Sequence, residues 1–258
     1  MFHLKKVRLT KPVPFSKLIP NFLTLSSLVV GVSSVRFALE SRWELVVYST
    51  LIACILDGLD GRVARILNAT SPFGAELDSL CDFANFGVAP AITIYLWSMS
   101  LSSSNVTLWA SILLFVVCMA IRLARFNTSF LVKEESKLAK QFFTGVPAPC
   151  GALLALMPMI IDFDISNYFG INLKSLPFFM QIYMPIVGFL LASRLPTFAA
   201  KNIHIKPEYL SLSMILSAIV IINFIIYPWQ ALPIFALIYL LSIPTCVIYS
   251  KKICKQNL

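Results

Sequence analysis

Residues 57–82, DGLDGRVARILNATSPFGAELDSLCD, place five of the chain's twelve acidic residues between two long apolar runs. Carboxylates at the end of an apolar run of membrane length are costly, so this cluster requires a charge partner or a ligand. Asp57 and Asp60 are three residues apart, and Asp78 and Asp82 are four apart. On helices, each pair therefore lies on one face. If the two helices are neighbours, four carboxylates converge on one point.

Converging carboxylates repel one another unless a cation lies between them. Hard divalent cations such as Mg²⁺ and Mn²⁺ prefer oxygen ligands and would remove this repulsion. Small residues between the two pairs leave room for a ligand close to the backbone, and arginines nearby offer positive charge for phosphate. These residues are Gly58, Gly61, Ala64, Gly74, Arg62 and Arg65. The combination predicts a phosphoryl-transfer site that depends on one or two divalent cations.

Composition indicates an integral membrane protein. The chain has 258 residues, 58% of them hydrophobic, a mean hydropathy of +0.82 and only 13% charged residues. Soluble domains carry about 25% charged residues. The net charge is +9, but the basic residues lie between apolar runs, which fits membrane topology and anionic lipid better than nucleic acid. The six cysteines form no CxxC pair, so we expect reduced packing residues rather than disulfides or a zinc site.

Eight apolar runs predict an all-α integral membrane protein, because each run is close to the ~20 residues that a helix needs to cross a bilayer. They are residues 21–39, 43–63, 79–99, 105–125, 146–163, 177–197, 209–228 and 230–249. Because the last two are separated by a very short turn, they should form an antiparallel hairpin. We divide the chain into a juxtamembrane segment (1–20), one transmembrane catalytic domain (21–250) and a tail (251–258).

The distribution of Lys and Arg predicts the orientation. With the N-terminus in the cytoplasm, 18 of the 21 basic residues fall on the cytoplasmic side, and only Arg36, Arg42 and Lys174 fall outside. This asymmetry places both termini and the carboxylate cluster on the cytoplasmic face of the cell (inner) membrane. Asp162 and Asp164 then lie on the outer side, where we expect solvated loop charges.

The spacing of residues 57–82 is D-x-x-D-G-x-x-A-R, eight further residues, and then G-x-x-x-D-x-x-x-D. This pattern resembles the signature of the CDP-alcohol phosphatidyltransferase family, with every fixed position filled. The longer segment DGRVARILNATSPFGAELDSLCDFANFGVAPA, residues 60–91, resembles the phosphatidylserine synthase branch of that family, except that Asn85 replaces a serine. The segments RLARFN (122–127) and FFTGVPAP (142–149) are similar to that branch as well.

The resemblance implies that CDP-diacylglycerol and L-serine react to give phosphatidylserine and CMP. It also implies a homodimer in membrane lipid, two divalent cations (Mg²⁺ or Mn²⁺), and a six-helix core with the C-terminal hairpin peripheral to it. Carried over by position, the metal ligands are Asp57, Asp60, Asp78 and Asp82. Asp82, with Asp78, would be catalytic, and Asp82 is the candidate general base. The residues that would bind CDP-diacylglycerol are Gly58, Gly61, Ala64, Arg65 and Gly74.

The serine site is less well defined by the sequence. Arg122 and Arg125 end the fourth apolar run, where either guanidinium could bind the serine carboxylate, although topology alone also explains two arginines there. Glu76 could bind the serine ammonium or form a salt bridge with an arginine.

Two alternatives remain at this point. The acceptor could be glycerol 3-phosphate or inositol phosphate, although the ELDSL and FGVAPA segments favour serine. From another class, a divalent-cation transporter would also hold carboxylates within the membrane. A transporter would be expected to spread its polar residues over several spans, whereas here they cluster at one end of two adjacent spans.

Overall fold

The protein is an all-α membrane protein, as the sequence predicts. A computed structural model describes residues 15–99, 106–131, 142–169, 173, 177–193, 195–198 and 209–256. After a short 3₁₀ turn, Phe15–Leu18, the helices are α1 Ile19–Leu39, α2 Trp43–Ile66, α3 Pro72–Asp82, α4 Ala89–Met99, α5 Val106–Leu131, α6 Ala148–Phe169, α7 Pro177–Ala192, α8 Leu210–Ile226 and α9 Pro228–Gln256. Two three-residue strands, β1 (Phe142–Thr144) and β2 (Pro196–Phe198), pair antiparallel.

Four of these helical segments are long and apolar enough to cross a membrane: Ile19–Leu39, Pro72–Met99, Val106–Thr128 and Pro228–Val247. Phe178–Ala192 and Leu210–Ile226 are apolar but shorter. The protein is therefore a multi-pass membrane protein. Counting Pro72–Met99 as one helix, the described residues form eight helices, which matches the eight apolar runs.

The third helix starts earlier than its apolar run predicts, at Pro72 rather than near residue 79. Ser71 is the N-cap, and its side chain accepts a hydrogen bond from the Gly74 amide at 3.0 Å. Pro72 suits the first turn because the backbone N–H that proline lacks would have no helical partner there. Helix α2 ends before Asn68, which adopts a left-handed conformation with φ of 50°. This short connection brings the end of α2 beside the start of α3.

A π-helical segment, Phe83–Val88, joins α3 to α4 directly after Asp82. Helices of this kind are usually single-turn insertions and occur frequently at functional sites. The apolar pattern of the third run does not indicate it. Asn85 lies in the middle of this segment and is buried.

Helix packing places the core between α1, α2, α4, α5, α6 and α7. Helix α1 packs along α2, α5 packs on α7, and α4 packs against α1 and α6. The largest fully buried side chains include Trp97, Phe86 and Phe115. The buried residues of these helices form one hydrophobic core, against which α1 and α2 pack.

The C-terminal hairpin is only half peripheral. No residue of α8 is buried, in agreement with the prediction. Helix α9, however, buries Ala231, Leu232 and Ile243 and packs against α6 and β2. It is therefore part of the packed structure, and the prediction that both helices are peripheral is wrong for α9.

Asp162 is not the solvated loop charge that we expected. It is 4% exposed, and its carboxylate accepts a hydrogen bond from the backbone amide of Leu173 at 2.7 Å. A buried carboxylate requires such a partner, because burial without one is costly. Asp162 therefore anchors the chain that follows α6.

Candidate active site

Three of the four predicted carboxylates form one compact group. Oxygen atoms of Asp57, Asp60 and Asp78 all lie within 4.8 Å of one another. The first two lie one turn apart on α2, and the third reaches them from α3. Three carboxylates at this separation repel unless positive charge lies between them, and hard oxygen donors are the ligands that divalent cations prefer. The group therefore fits a divalent cation.

Asp82 lies deeper, beside this group. Its carboxyl group lies close to that of Asp57 and within electrostatic reach of Arg122. The Asp82 Oδ1 atom is buried and has no hydrogen-bond partner among the described residues. A buried carboxylate oxygen without a protein partner is available to a ligand. Three of the four carboxylates thus meet in one group, and Asp82 lies beside it.

A fifth polar residue, which the sequence analysis did not identify, contacts this group. Thr24 on α1 donates a hydrogen bond from Oγ1 to Asp60 Oδ2 at 2.6 Å. Both residues are 5% exposed. Thr24 belongs to an apolar span and is separated from Asp60 by 36 residues, so local pattern carries no signal for this contact.

An open cleft of about 250 Å³ lies against the carboxylate group. It is bordered by the beginning of α1, the end of α2 and the beginning of α3. The predicted nucleotide-lipid residues Gly61, Ala64, Arg65 and Gly74 line it, together with Asp60 and Asp78. This places positive charge and small residues beside two of the three grouped carboxylates.

Gly58 and Gly61 are not close-packing glycines. A Cβ atom added at either position would meet no atom within 4 Å. Glycines in membrane helices usually allow two helices to approach, as Gly188 does where an added Cβ would lie 3.2 Å from Phe115 Cα. Gly58 is not among the residues that line the cleft, but it is exposed and faces open space.

The structure separates the three candidate serine-binding residues. Arg122 donates through Nε to the Val146 carbonyl at 2.5 Å and lies within electrostatic reach of Asp82. Arg125 donates through Nη1 to the Ala192 carbonyl at 2.8 Å. Arg122 therefore faces the carboxylate group, while Arg125 ties α5 to the end of α7.

Glu76, the third candidate, is exposed on α3, and it forms no ion pair with any residue that the structure describes. It is also absent from the lining of the cleft. The predicted salt bridge between Glu76 and an arginine is therefore not formed among the described residues.

Comparison with known proteins decides the family. A family model described as CDP-alcohol phosphatidyltransferase matches residues 17–191. The chain belongs to the CDP-alcohol phosphatidyltransferase family. A second model, described as CDP-alcohol phosphatidyltransferase 2, matches residues 208–244. The second match covers α8 and the first 17 residues of α9.

Three relatives of this chain share one name. A Mycobacterium leprae protein named CDP-diacylglycerol–serine O-phosphatidyltransferase is 34% identical over 231 residues, which cover 90% of this chain and 75% of the relative. A Helicobacter pylori protein of the same name is 33% identical over 226 residues, or 87% of this chain and 88% of the relative. A Methanocaldococcus jannaschii protein of that name is 38% identical over 136 residues, or 53% and 57% of the two chains.

Proposed function

We propose that this family member transfers the phosphatidyl group of CDP-diacylglycerol to the hydroxyl of L-serine and releases CMP. The observation that carries the proposal is the carboxylate group Asp57, Asp60 and Asp78 beside a cleft that Arg65 lines. This arrangement suits a pyrophosphate, and relatives over most of this chain bear the name of that reaction.

The proposed step is a displacement at the phosphorus that bears the lipid. A bond forms between the serine hydroxyl oxygen and this phosphorus, and the bond between the phosphorus and the oxygen of CMP breaks. The hydroxyl proton passes to a base, and CMP leaves with the electron pair. Such displacements depend mostly on positioning and on stabilisation of charge.

The carboxylates supply the ligands and the base. Asp57, Asp60 and Asp78 would hold a divalent cation, Mg²⁺ or Mn²⁺, with Asp82 available to a second. When bound, such ions neutralise charge on the pyrophosphate and on the leaving oxygen. Asp82 is also the proposed acceptor of the serine proton, because its buried Oδ1 atom is available and it lies beside the group.

The small residues and Arg65 would receive the nucleotide end of the substrate. Gly61 and Gly74 leave the cleft open, and Arg65 brings a guanidinium to the phosphates. An added Cβ at Gly74 would lie 3.2 Å from both Asn21 Oδ1 and Ser71 Oγ, so glycine keeps space between α1 and α3.

Arg122 is the proposed partner of the serine carboxylate. Its Nε is bound to the Val146 carbonyl, and none of the described residues accepts a hydrogen bond from its Nη nitrogens. Its proximity to Asp82 would place the serine hydroxyl near the proposed base. We extend the proposal to a homodimer in the inner membrane, with the cleft and both termini cytoplasmic.

Arg122→Gln is expected to raise the KM for L-serine about ten- to a hundredfold, the factor that corresponds to loss of a charged hydrogen bond of about 1.5–3 kcal/mol. The KM for CDP-diacylglycerol should stay unchanged, because Arg122 does not line the cleft. Steady-state CMP release at varied serine concentration measures the effect.

Arg125→Gln, one helical turn away, is the matched control. It should lower the unfolding temperature, because it removes the hydrogen bond from Arg125 to Ala192, and leave the KM for serine unchanged. An equal rise of the serine KM in both variants would contradict the assignment to Arg122.

The experiment that tests the function is CMP release from CDP-diacylglycerol by purified protein. L-serine, glycerol 3-phosphate and inositol phosphate are supplied separately, each with EDTA, Mg²⁺ or Mn²⁺. We expect release only when serine and a divalent cation are both present, with phosphatidylserine as the second product.

Release of CMP with another acceptor would be consistent with the family and would overturn L-serine as the proposed acceptor. No release with any acceptor, from protein shown to be folded, would contradict the transferase function. Such protein would then be tested for uptake of divalent cations into vesicles.

A further inference from the structure

Resting on the metal-dependent function proposed above, we infer that Thr24 is a positioning residue that orients Asp60 as a metal ligand. Thr24 and Asp60 are both buried where α1 packs along α2, and both residues line the cleft. Neither the spacing of the acidic residues nor the signature that they form includes α1.

The Thr24 hydroxyl has one proton and two possible acceptors. Its Oγ1 atom lies 2.6 Å from Asp60 Oδ2 and 3.0 Å from the Pro20 carbonyl oxygen. An ionised carboxylate is the stronger acceptor, because hydrogen bonds to charged groups are shorter and about twice as strong as neutral ones. With Asp60 ionised, the proton therefore goes to Asp60 Oδ2.

This bond restricts the rotation of the carboxylate. With Oδ2 held by Thr24, the plane of the Asp60 carboxylate is set relative to Asp57 and Asp78. Groups that hydrogen-bond to a metal ligand orient it, and their mutation typically costs about 10- to 100-fold in metal affinity or activity. A ligand that rotates freely would lose entropy each time a cation binds.

Thr24 can orient Asp60 only if α1 is itself fixed against α2. Two buried hydrogen bonds, one turn further along α1, fix the helix in this position. Ser27 Oγ donates to the Ala53 carbonyl of α2 at 3.0 Å. Asn85 of the π-helical segment donates through Nδ2 to the same Ser27 Oγ at 3.0 Å. Ser27 and Asn85 are 1% and 2% exposed.

Gly31 completes this contact, because a Cβ atom there would overlap the side-chain amide of Asn85. Thr24, Ser27 and Gly31 lie on one face of α1 at helical spacing. The face contacts a metal ligand at one end and the segment that follows Asp82 at the other. Asn85, where the family branch has serine, thus belongs to the framework that holds α1 in place.

The test is direct binding of Mn²⁺ to the purified full-length protein in detergent, followed by electron paramagnetic resonance, without lipid or serine. Thr24→Val keeps the shape of the side chain and removes the hydroxyl, and should weaken Mn²⁺ binding about 10- to 100-fold. Thr24→Ser keeps the hydroxyl and should restore binding to near the wild-type value.

The matched control is Ser26→Ala. Ser26 is an exposed hydroxyl residue on the same helix, and its hydrogen bond goes to the Phe22 carbonyl of its own helix. This variant should bind Mn²⁺ as the wild type does. A merely structural role of Thr24 would lower the unfolding temperature and leave the Mn²⁺ affinity of the folded protein unchanged.

Wild-type Mn²⁺ affinity in folded Thr24→Val would overturn the inference, as would an equal loss in Thr24→Val and Thr24→Ser. If Thr24→Val does not fold, Mn²⁺ binding is measured on Thr24→Ala instead. If neither variant folds, Thr24 has a structural role and the inference is overturned as well. This test is independent of the proposed reaction. If Mn²⁺ binding depends on the Thr24 hydroxyl but the enzyme uses an acceptor other than L-serine, the inference is supported and only the proposed acceptor is contradicted.

Discussion

Asp78→Asn is expected to lower the rate of CMP release from CDP-diacylglycerol by about a thousandfold or more. Asparagine keeps the size and one oxygen of the side chain but removes the negative charge that α3 contributes to the group with Asp57 and Asp60. A bound metal ion contributes several kcal/mol to the stabilisation of transition-state charge, and each 1.36 kcal/mol corresponds to a factor of ten in rate. The loss should appear at every serine concentration.

The protein itself should remain folded and inserted. Asp78 is only partly buried, so replacing it with a neutral side chain of equal size leaves packing intact and removes repulsion from its neighbours. Asp164→Asn makes the same chemical change at the far end of α6 and should retain full activity. Wild-type turnover by Asp78→Asn, or an equal loss in the Asp164 variant, would contradict the proposed site.

Gly61→Val should abolish productive binding of CDP-diacylglycerol without destabilising the fold. An added Cβ at Gly61 meets no atom within 4 Å, because the residue faces the cleft. The valine methyl groups would therefore occupy space that the substrate needs. Misplacing a reacting group by about 1 Å can cost about 100-fold in rate, so we expect at least that loss in kcat/KM for the lipid substrate.

Gly188→Val on α7 is the matched control. An added Cβ there lies 3.2 Å from the Phe115 Cα of α5 and 3.4 Å from the Cys118 side chain, so valine should force the two helices apart. We expect a lower unfolding temperature for this variant and an unchanged one for Gly61→Val. A destabilised Gly61→Val with normal KM values would indicate that Gly61 serves packing and does not bind substrate.

Most of the carboxylate site could be predicted from residues 57–82 alone. Helical periodicity is a local property, so the spacing of Asp57 and Asp60 places both on one face of their helix. Asp78 lies on the next helix. The repulsion between them then requires a common ligand. The cleft residues Gly61 and Arg65 belong to the same stretch, since Gly61 directly follows Asp60 and Arg65 lies five residues after Asp60.

The two candidate arginines illustrate where local pattern fails. Arg122 and Arg125 are three residues apart at the end of α5, so their sequence environments are nearly the same. Their partners, Val146 and Ala192, lie in different parts of the chain. Only the packing of α5 against these segments shows which guanidinium faces Asp82.

The membrane class, the eight helices of the described residues and the two acidic pairs could all be predicted without a structure. Hydropathy and helical spacing are properties of short stretches, and the bilayer forces each apolar run to satisfy its backbone internally. Contacts between residues that are distant in the chain could not be predicted in this way. Three features depend on the relative positions of whole helices. They are the contact of Thr24 with Asp60, the π-helical segment that contains Asn85, and the packing of α9. These positions are set by side-chain packing across the entire bundle, so they cannot be predicted from any single stretch of sequence.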